Sequence, residues 1–254
     1  MLAERDPKET VVVVPCFDEA ARLDSARFAG FARAERSMRF LFVDDGSRDR
    51  TREVLLALAQ SSTRVDVLAL ERNAGKGEAI RRGMLRAFEL EPAFVAYFDA
   101  DLATPLEELD PMRQLLLEKP ELEVVLGSRV ALLGRDIKRS HRRHYLGRAF
   151  ATAASVVLDL VVYDTQCGAK MFRNSEALRQ VFAQPFETRW VFDVEVLARL
   201  KALSRRGAFP DVTRSVVEHP LRAWRDVSGS KLGVRAAVGA GLELARIWHR
   251  YGRH

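Results

Sequence analysis

The chain has 254 residues, 48% of them hydrophobic, enough to bury a substantial core, and it carries no internal repeat or low-complexity tract. A formal net charge of +6 and a pI of about 9.6 point to acidic partners: nucleotides, lipid phosphates, membrane surfaces or nucleic acid. Cys16 and Cys167 lie too far apart for a zinc-type spacing or a disulfide framework, the start Met-Leu-Ala-Glu-Arg-Asp-Pro lacks the apolar stretch of a signal peptide, and the apolar run 149–163 is broken by Asp159 and too short for a bilayer. A reduced, cytoplasmic protein with only peripheral membrane contact is expected.

In chain order, Val11 to Val14 reads as a buried strand closed by Pro15, and Glu19 to Ala34 as a helix. Arg39 to Asp44 is a second strand, and Asp45-Gly46-Ser47 turns into a helix from about Arg50 to Gln60. Val65 to Leu70 is a third strand. The turn Asn73 to Gly77 then opens a helix with Ile80, Met84, Ala87 and Phe88 on one face. Val95 to Phe98 is a fourth strand, and Thr104-Pro105-Leu106-Glu107 has the pattern of an N-cap, a first-turn proline and a capping-box glutamate. Val124 to Leu126 is a fifth strand. Repeated βα units of this length predict an α/β fold with a mainly parallel sheet and helices on both faces. Beyond it, Leu146, Phe150, Ala154, Val157 and Val161 fall near one helical face, core by default with a lipid-facing surface as the alternative. A C-terminal amphipathic helix, 233–254, sets Leu244, Ile247, Trp248 and Tyr251 opposite Arg235, Glu243, Arg246, Arg250 and Arg253, suited to a membrane surface, its own domain or a second subunit.

The chemistry is expected where the fourth strand ends. Asp99 and Asp101, one residue apart just past its carboxyl end, can aim oxygens at one hard cation whose other positions go to water and substrate phosphates. Acidic turns after the first strand (Pro15-Cys16-Phe17-Asp18-Glu19) and the second (Asp44-Asp45-Gly46-Ser47) fall at the same sheet edge, although Asp44 and Asp45 also suit a plain turn with helix capping. The Gly75-Lys76-Gly77 turn fails as a P-loop, because Leu70 stands at its first glycine and Gly77 at its Ser or Thr. A dinucleotide fingerprint fails at Ile80. The run Arg135 to Arg148 is densely basic and suits a phosphate or an anionic lipid surface.

These motifs, in this order, resemble the family 2 glycosyltransferases of GT-A fold. They include Val43-Asp44-Asp45-Gly46-Ser47 with Asp49 and Thr51, Asn73 to Gly77, Asp99-Ala100-Asp101 and Gly127-Ser128-Arg129. Asp164 to Lys170, Arg189 to Glu195 and Trp224 to Leu232 are similar to the dolichyl-phosphate glucosyltransferase branch, so the resemblance covers roughly residues 10 to 232. It implies a glycosyltransferase domain over 1–232, with a nucleotide-binding half near 1–129 and an acceptor half near 130–232. The implied activity is metal-dependent, inverting transfer of a hexose, glucose from UDP-glucose, to a polyprenyl phosphate.

The resemblance further implies that Pro15, Phe17, Glu19, Asp44 and Asp45 hold the nucleoside side of the donor. Asp99, Ala100 and Asp101 would hold the diphosphate and a Mg2+ or Mn2+ ion, with Asp99 and Asp101 as its ligands. Lys76, Arg129, Lys170, Arg225 and Lys231 would meet the phosphates, with Asp101, Asp193, Arg225 and Lys231 nearest the reaction. Arg142, Arg143, Asp164, Gln166 and Trp190 would serve the acceptor. Gly229 between Ser228 and Ser230 suggests a loop that carries Arg225 and Lys231 onto the bound donor. Two departures stand out. Ala103 occupies the place of a glutamine metal ligand in related mannosyltransferases, and Phe17-Asp18 replaces the usual Tyr-Asn. Partners implied are a nucleotide-sugar, a lipid phosphate, a membrane surface on the cytoplasmic side and, if it oligomerises, a second copy, with no nucleic acid. The alternatives are another donor such as GDP-mannose, a soluble hydroxyl acceptor, or a basic nucleic-acid binder without catalysis.

Overall fold

The computed structural model describes residues 9–138, 141–226 and 234–252, with side chains described except at 141–144 and 234–238. The elements are β1 (Thr10–Cys16), α1 (Ser25–Ala34), β2 (Met38–Asp44), α2 (Thr51–Gln60), β3 (Val65–Ala69), α3 (Lys76–Glu89) and β4 (Phe94–Phe98). A 3₁₀ turn (Leu106–Glu108) leads into α4 (Leu109–Glu118), followed by β5 (Val124–Ser128), β6 (Asp136–Lys138) and α5 (His141–Leu158). Then come β7 (Ala169–Arg173), α6 (Glu176–Ala183), α7 (Phe192–Arg205), α8 (Val212–Ser215), β8 (Val216–Pro220), β9 (Ala223–Arg225) and α9 (Val234–Tyr251). They form two compact units, Met1–Asp101 with Met171–Ala183 and Leu102–Lys170 with Gln184–His254.

In the first unit the strands lie in the order β3-β2-β1-β4-β7. β1 pairs in parallel with β2 and β4, and β2 with β3. Val11 to Val14 are fully buried, as a central strand covered on both faces requires. Val12 and Val14 stand beside Phe40 and Phe42, whose rings meet Phe28 of α1 edge-on at 5.5 and 5.0 Å. Val13, Leu41 and Val43 point to the opposite face, against α3. Gly83 is needed there, because a Cβ would come within 2.4 Å of Val13 Cγ1 and 2.8 Å of Val43 Cγ2. Tyr97, Phe172 and Phe182 continue that core. Asn174, just past β7, donates to the carbonyls of Ala93 and Pro92 just ahead of β4, so β7 runs against β4.

In the second unit β5 pairs in parallel with β8, from Val124 beside Val216 to Ser128 beside Pro220, and β6 pairs in parallel with β9. Gly127 allows the start of β7 to approach closely, since a Cβ would lie 2.9 Å from Ala169 O. α9 packs on α5 and α7 of its own unit, burying Leu244 and Ile247, while Leu242 and Trp248 remain exposed.

Three local expectations are corrected. α1 starts at Ser25, capped by Asp24, whose carboxylate accepts from Arg27 N at 2.9 Å, because the N–H groups of residues 18–20 are committed to the Ser47–Thr51 segment. The capping box at Thr104 does not form. Extended Pro105 precedes the 3₁₀ turn, and Glu108, the residue after the expected Glu107, turns inward to accept from Arg222 N and Ala223 N at 2.7 and 3.2 Å. Among the described side chains of α5 the buried positions are Ala151, Ala154 and Leu158, whereas Leu146 is exposed, and Val161 falls beyond the helix end and is exposed as well. Among the described residues no helix is long and apolar enough to cross a membrane.

Candidate active site

In the first unit, the loops at the carboxyl ends of β1, β2 and β3 are bound together mainly by side-chain oxygens accepting from backbone N–H groups. After β1, Asp18 takes a left-handed conformation (φ 52°), its Oδ1 accepts from Arg48 N at 2.8 Å, and its own N–H goes to Ser47 Oγ at 3.1 Å. Asp and Asn both tolerate that conformation and both offer an Oδ1, so the change from the usual asparagine keeps the local design. Glu19 N donates to Thr51 Oγ1 at 2.7 Å and Ala20 N to Asp49 Oδ2 at 3.1 Å. Phe17 is exposed beside them.

After β2, both aspartates are buried and committed. Asp44 Oδ1 accepts from Ser47 N at 3.0 Å and Oδ2 from Arg52 Nε at 3.0 Å. Asp45 accepts from Ala74 N, Gly75 N and Asn73 Nδ2 at 2.7, 2.9 and 3.0 Å, which clamps the 73–75 turn. The turn reading of this pair is therefore realised. Gly46 (φ 65°) lets the two loops touch: a Cβ there would lie 2.4 Å from Arg72 C and 2.6 Å from Asn73 N.

Asp99 and Asp101 sit at the open end of β4, with Ala100 buried between them. Lys76, the first residue of α3, reaches Asp99 Oδ1 at 2.6 Å. Asp101 lies close enough to Glu19 to act on its ionisation. Burial pushes the Glu19 carboxyl above its usual range, and the charges of Asp101 and Asp49 add to this against Arg22, which forks Glu19 at 2.5 and 3.0 Å. Asp101 and Asp49 thus add negative charge at Glu19 while Asp99 is paired with Lys76, and among the described residues no group of three or more His, Cys, Asp or Glu side chains is gathered to hold a metal ion, which leaves the Asp99 and Asp101 carboxylates as hard oxygens a small divalent cation could take. Leu102 follows in the left-handed region (φ 53°), which costs a non-glycine residue roughly 1–2 kcal/mol. Cys16 is a buried thiol held protonated by burial and by the nearby Glu19 and Asp44 charges.

The second unit carries the remaining site residues in a different style. Arg129 forks Asp164, Nε to Oδ2 at 2.6 Å and Nη2 to Oδ1 at 2.7 Å, and its guanidinium lies 5.4 Å from the centre of the Trp224 ring. Burial opposes ionisation of Asp164, but Arg129 and Lys170 outweigh it and hold the carboxyl below its usual range. Glu218 accepts from Tyr163 N and Asp164 N at 2.7 and 2.8 Å, fixing that turn. Lys170 is fully buried, and its ammonium donates to Cys167 O at 2.6 Å and Asp193 Oδ1 at 2.7 Å, so it serves Asp193 directly. Arg225 is exposed, with its N–H on Ala103 O and its guanidinium 3.3 Å from Asp136. Trp190 is exposed and Gln166 half-buried. Lys231 and the 228–230 loop lie outside the described residues, as do the side chains of Arg142 and Arg143.

Sequence reasoning missed Ser128 and Thr165, whose buried hydroxyls, with Gln166 Nε2, have no hydrogen-bond partner among the described residues. Both fall inside quoted motifs, which was the available signal. It also missed Glu108 and Glu218, for which no local pattern existed.

The model of the glycosyl transferase family 2 matches residues 11–182. A dolichyl-phosphate beta-glucosyltransferase of Dictyostelium discoideum is 30% identical over 94% of this chain and 74% of its own length, and that of Homo sapiens is 34% identical over 89% and 70%. A Mycobacterium tuberculosis glucosyl-3-phosphoglycerate synthase, crystallised with Mn2+, UDP and glucosyl-3-phosphoglycerate, superposes with a TM-score of 0.65 at 20% identity, over 97% of this chain and 81% of that one. This chain belongs to the glycosyl transferase family 2, and its fold is the GT-A α/β fold.

Proposed function

We propose that the protein transfers glucose from UDP-glucose to a polyprenyl phosphate of the dolichyl type, with inversion, using Mg2+ or Mn2+, at the cytoplasmic face of a membrane. The observation that carries the reading is the pair of carboxylates, Asp99 and Asp101, at the carboxyl end of β4, with Lys76 on Asp99 and Asp101 close enough to Glu19 to act on its ionisation. The similar glucosyltransferases named above act on dolichyl phosphate by their names, which supports the choice of acceptor.

Asp99 and Asp101 would hold the cation, which, when bound, supplies Lewis-acid stabilisation of the departing diphosphate. Lys76 opens α3 at the positive end of the helix dipole and rests on Asp99. A donor diphosphate offers Lys76 an equivalent anion, which leaves Asp99 to the metal. Arg225 and Lys231 add positive charge where it develops on the leaving group. The acceptor needs no general base, because a phosphate monoester, with a second pKa of about 6, is mostly a dianion at neutral pH. Asp193, buried and paired with Lys170, orients the acceptor side. Arg142 and Arg143 attract its phosphate.

The test is calorimetry of UDP-glucose and GDP-mannose with Mn2+, joined to transfer of labelled glucose to a polyprenyl phosphate and to 3-phosphoglycerate. Tight Mn2+-dependent UDP-glucose binding with lipid-linked product is expected. Preference for GDP-mannose would overturn the donor, and glucose found only on 3-phosphoglycerate would overturn the acceptor.

A further inference from the structure

The segment from Glu187 to Val191 leads into α7, carries the exposed Trp190 and ends two residues before Asp193. Its five consecutive N–H groups are taken by two carboxylates. Glu195 of α7 accepts from Glu187 N and Thr188 N at 3.1 and 3.0 Å, and from the Thr188 hydroxyl at 2.8 Å. Glu243 of α9 accepts from Arg189 N, Trp190 N and Val191 N at 3.2, 2.9 and 3.0 Å.

Val191 stands at the N-cap of α7 and has no side-chain oxygen to offer the open N–H groups. Glu243 therefore supplies, from a helix more than fifty residues away in sequence, the anion that a helix start favours. Its carboxylate is buried, and Leu244 and Ile247 of the same helix are buried too. A second tie comes from Tyr251, whose hydroxyl reaches Glu195 at 3.4 Å. The turn is thus set from outside by α9.

We propose that Glu243 is a positioning residue for transfer. By holding the N–H groups of 189–191 it fixes Trp190 and Asp193 for the acceptor, so that α9 is a working part of the acceptor side. This rests on the reading of those two residues as acceptor-facing.

The test uses the full chain as wild type, Glu243→Ala, Glu243→Gln and Ile247→Ala, the last removing buried apolar volume from α9 while keeping the Glu243 carboxylate. Kinetics with UDP-glucose and a polyprenyl phosphate are joined to donor calorimetry and amide exchange over residues 187–193. Glu243→Ala is expected to speed exchange at 189–191 and raise the acceptor KM about tenfold, with donor Kd changed by less than about twofold. Glu243→Gln, which keeps one accepting oxygen, recovers part of the loss and carries the test if the alanine variant does not fold. Ile247→Ala lowers Tm yet leaves acceptor KM and exchange at 189–191 as in the wild type. An unchanged acceptor KM in both Glu243 variants, or the same rise in Ile247→Ala at equal loss of Tm, overturns the proposal. If the wild type ignores polyprenyl phosphate and uses another acceptor, the acceptor reading fails, and KM for that acceptor decides the role of Glu243 by the same criteria.

Discussion

Glu19 and Asp164 are both carboxylates forked by an arginine and withdrawn from water, yet they ionise in opposite directions. In the first unit, burial together with Asp101 and Asp49 outweighs Arg22 and raises Glu19. In the second, Arg129 and Lys170 outweigh burial and lower Asp164. The difference lies in the neighbours beyond the arginine: further carboxylates in one case, a further cation in the other. The second unit balances its carboxylate with its own cations, whereas the further neighbours of Glu19 are negative, beside the place where the proposed cation would bind.

The largest effect should come from unbalancing the second unit. Lys170→Met strands Asp193 as a buried charge and should cost about 3–5 kcal/mol in urea unfolding. Asp193→Asn in turn leaves a neutral partner for Lys170 and should reduce, without abolishing, transfer to a polyprenyl phosphate across a pH series. A silent Lys170→Met would break the comparison.

Next, Asp101→Asn removes one of the two carboxylates that raise Glu19 in the first unit. Mn2+-dependent affinity for UDP-glucose should fall by about 100-fold, on the order of 3 kcal/mol, because the proposed cation site loses one of its two carboxylates. Calorimetry on the folded variant checks this, and an unchanged Mn2+ dependence would remove Asp101 as a ligand.

A smaller effect concerns pH. Glu19 binds its proton more tightly in the folded protein than its ordinary value of 4.5 implies. Its contribution to stability is therefore greatest below that value and is lost as pH rises through the folded pKa. Asp164 has the opposite sign: its contribution is present above the ordinary value of 3.8 and is lost as pH falls through the lowered one. A Mn2+ ion at the proposed site would offset the negative charge around Glu19, so the rise in Tm on adding Mn2+ should be larger at pH 7 than at pH 5, and Glu19→Gln should flatten that difference. Equal shifts in the wild type at both pH values would contradict this.

The smallest effect sharpens the comparison by its silence. Asp18→Asn keeps the left-handed preference and the acceptor for Arg48 N, so Tm should correspond to less than about 0.5 kcal/mol of change, whereas Asp18→Ala should cost about 1–2 kcal/mol.

The framework of the first unit was legible because its signals are local. Four valines in a row cannot be solvated, and Asp99 and Asp101 fall at a strand end whichever residue the strand starts from. The partners of the charged groups were not legible, because they come from far along the chain. Lys170 reads as a free cation until Asp193, 23 residues later, is folded against it. Thr104 to Glu107 fits a capping box by pattern, but the inward carboxylate is Glu108, drawn to N–H groups more than a hundred residues distant. β8 and β9 escaped notice because neither alternates cleanly: Val216 to Pro220 is half-buried throughout and Ala223 to Arg225 is only three residues long.

Gly46, where the β2 loop meets Arg72 and Asn73 without room for a methyl group, also bears on how the nucleotide edge can be altered. Asp45 on one side of it holds the 73–75 turn through three hydrogen bonds, so neither loop can be regrafted alone. Changes in the two should be strongly non-additive in a double-mutant cycle. Attempts to remodel this corner of the sheet edge will succeed only when residues 44–47 and 72–75 are varied as one cassette.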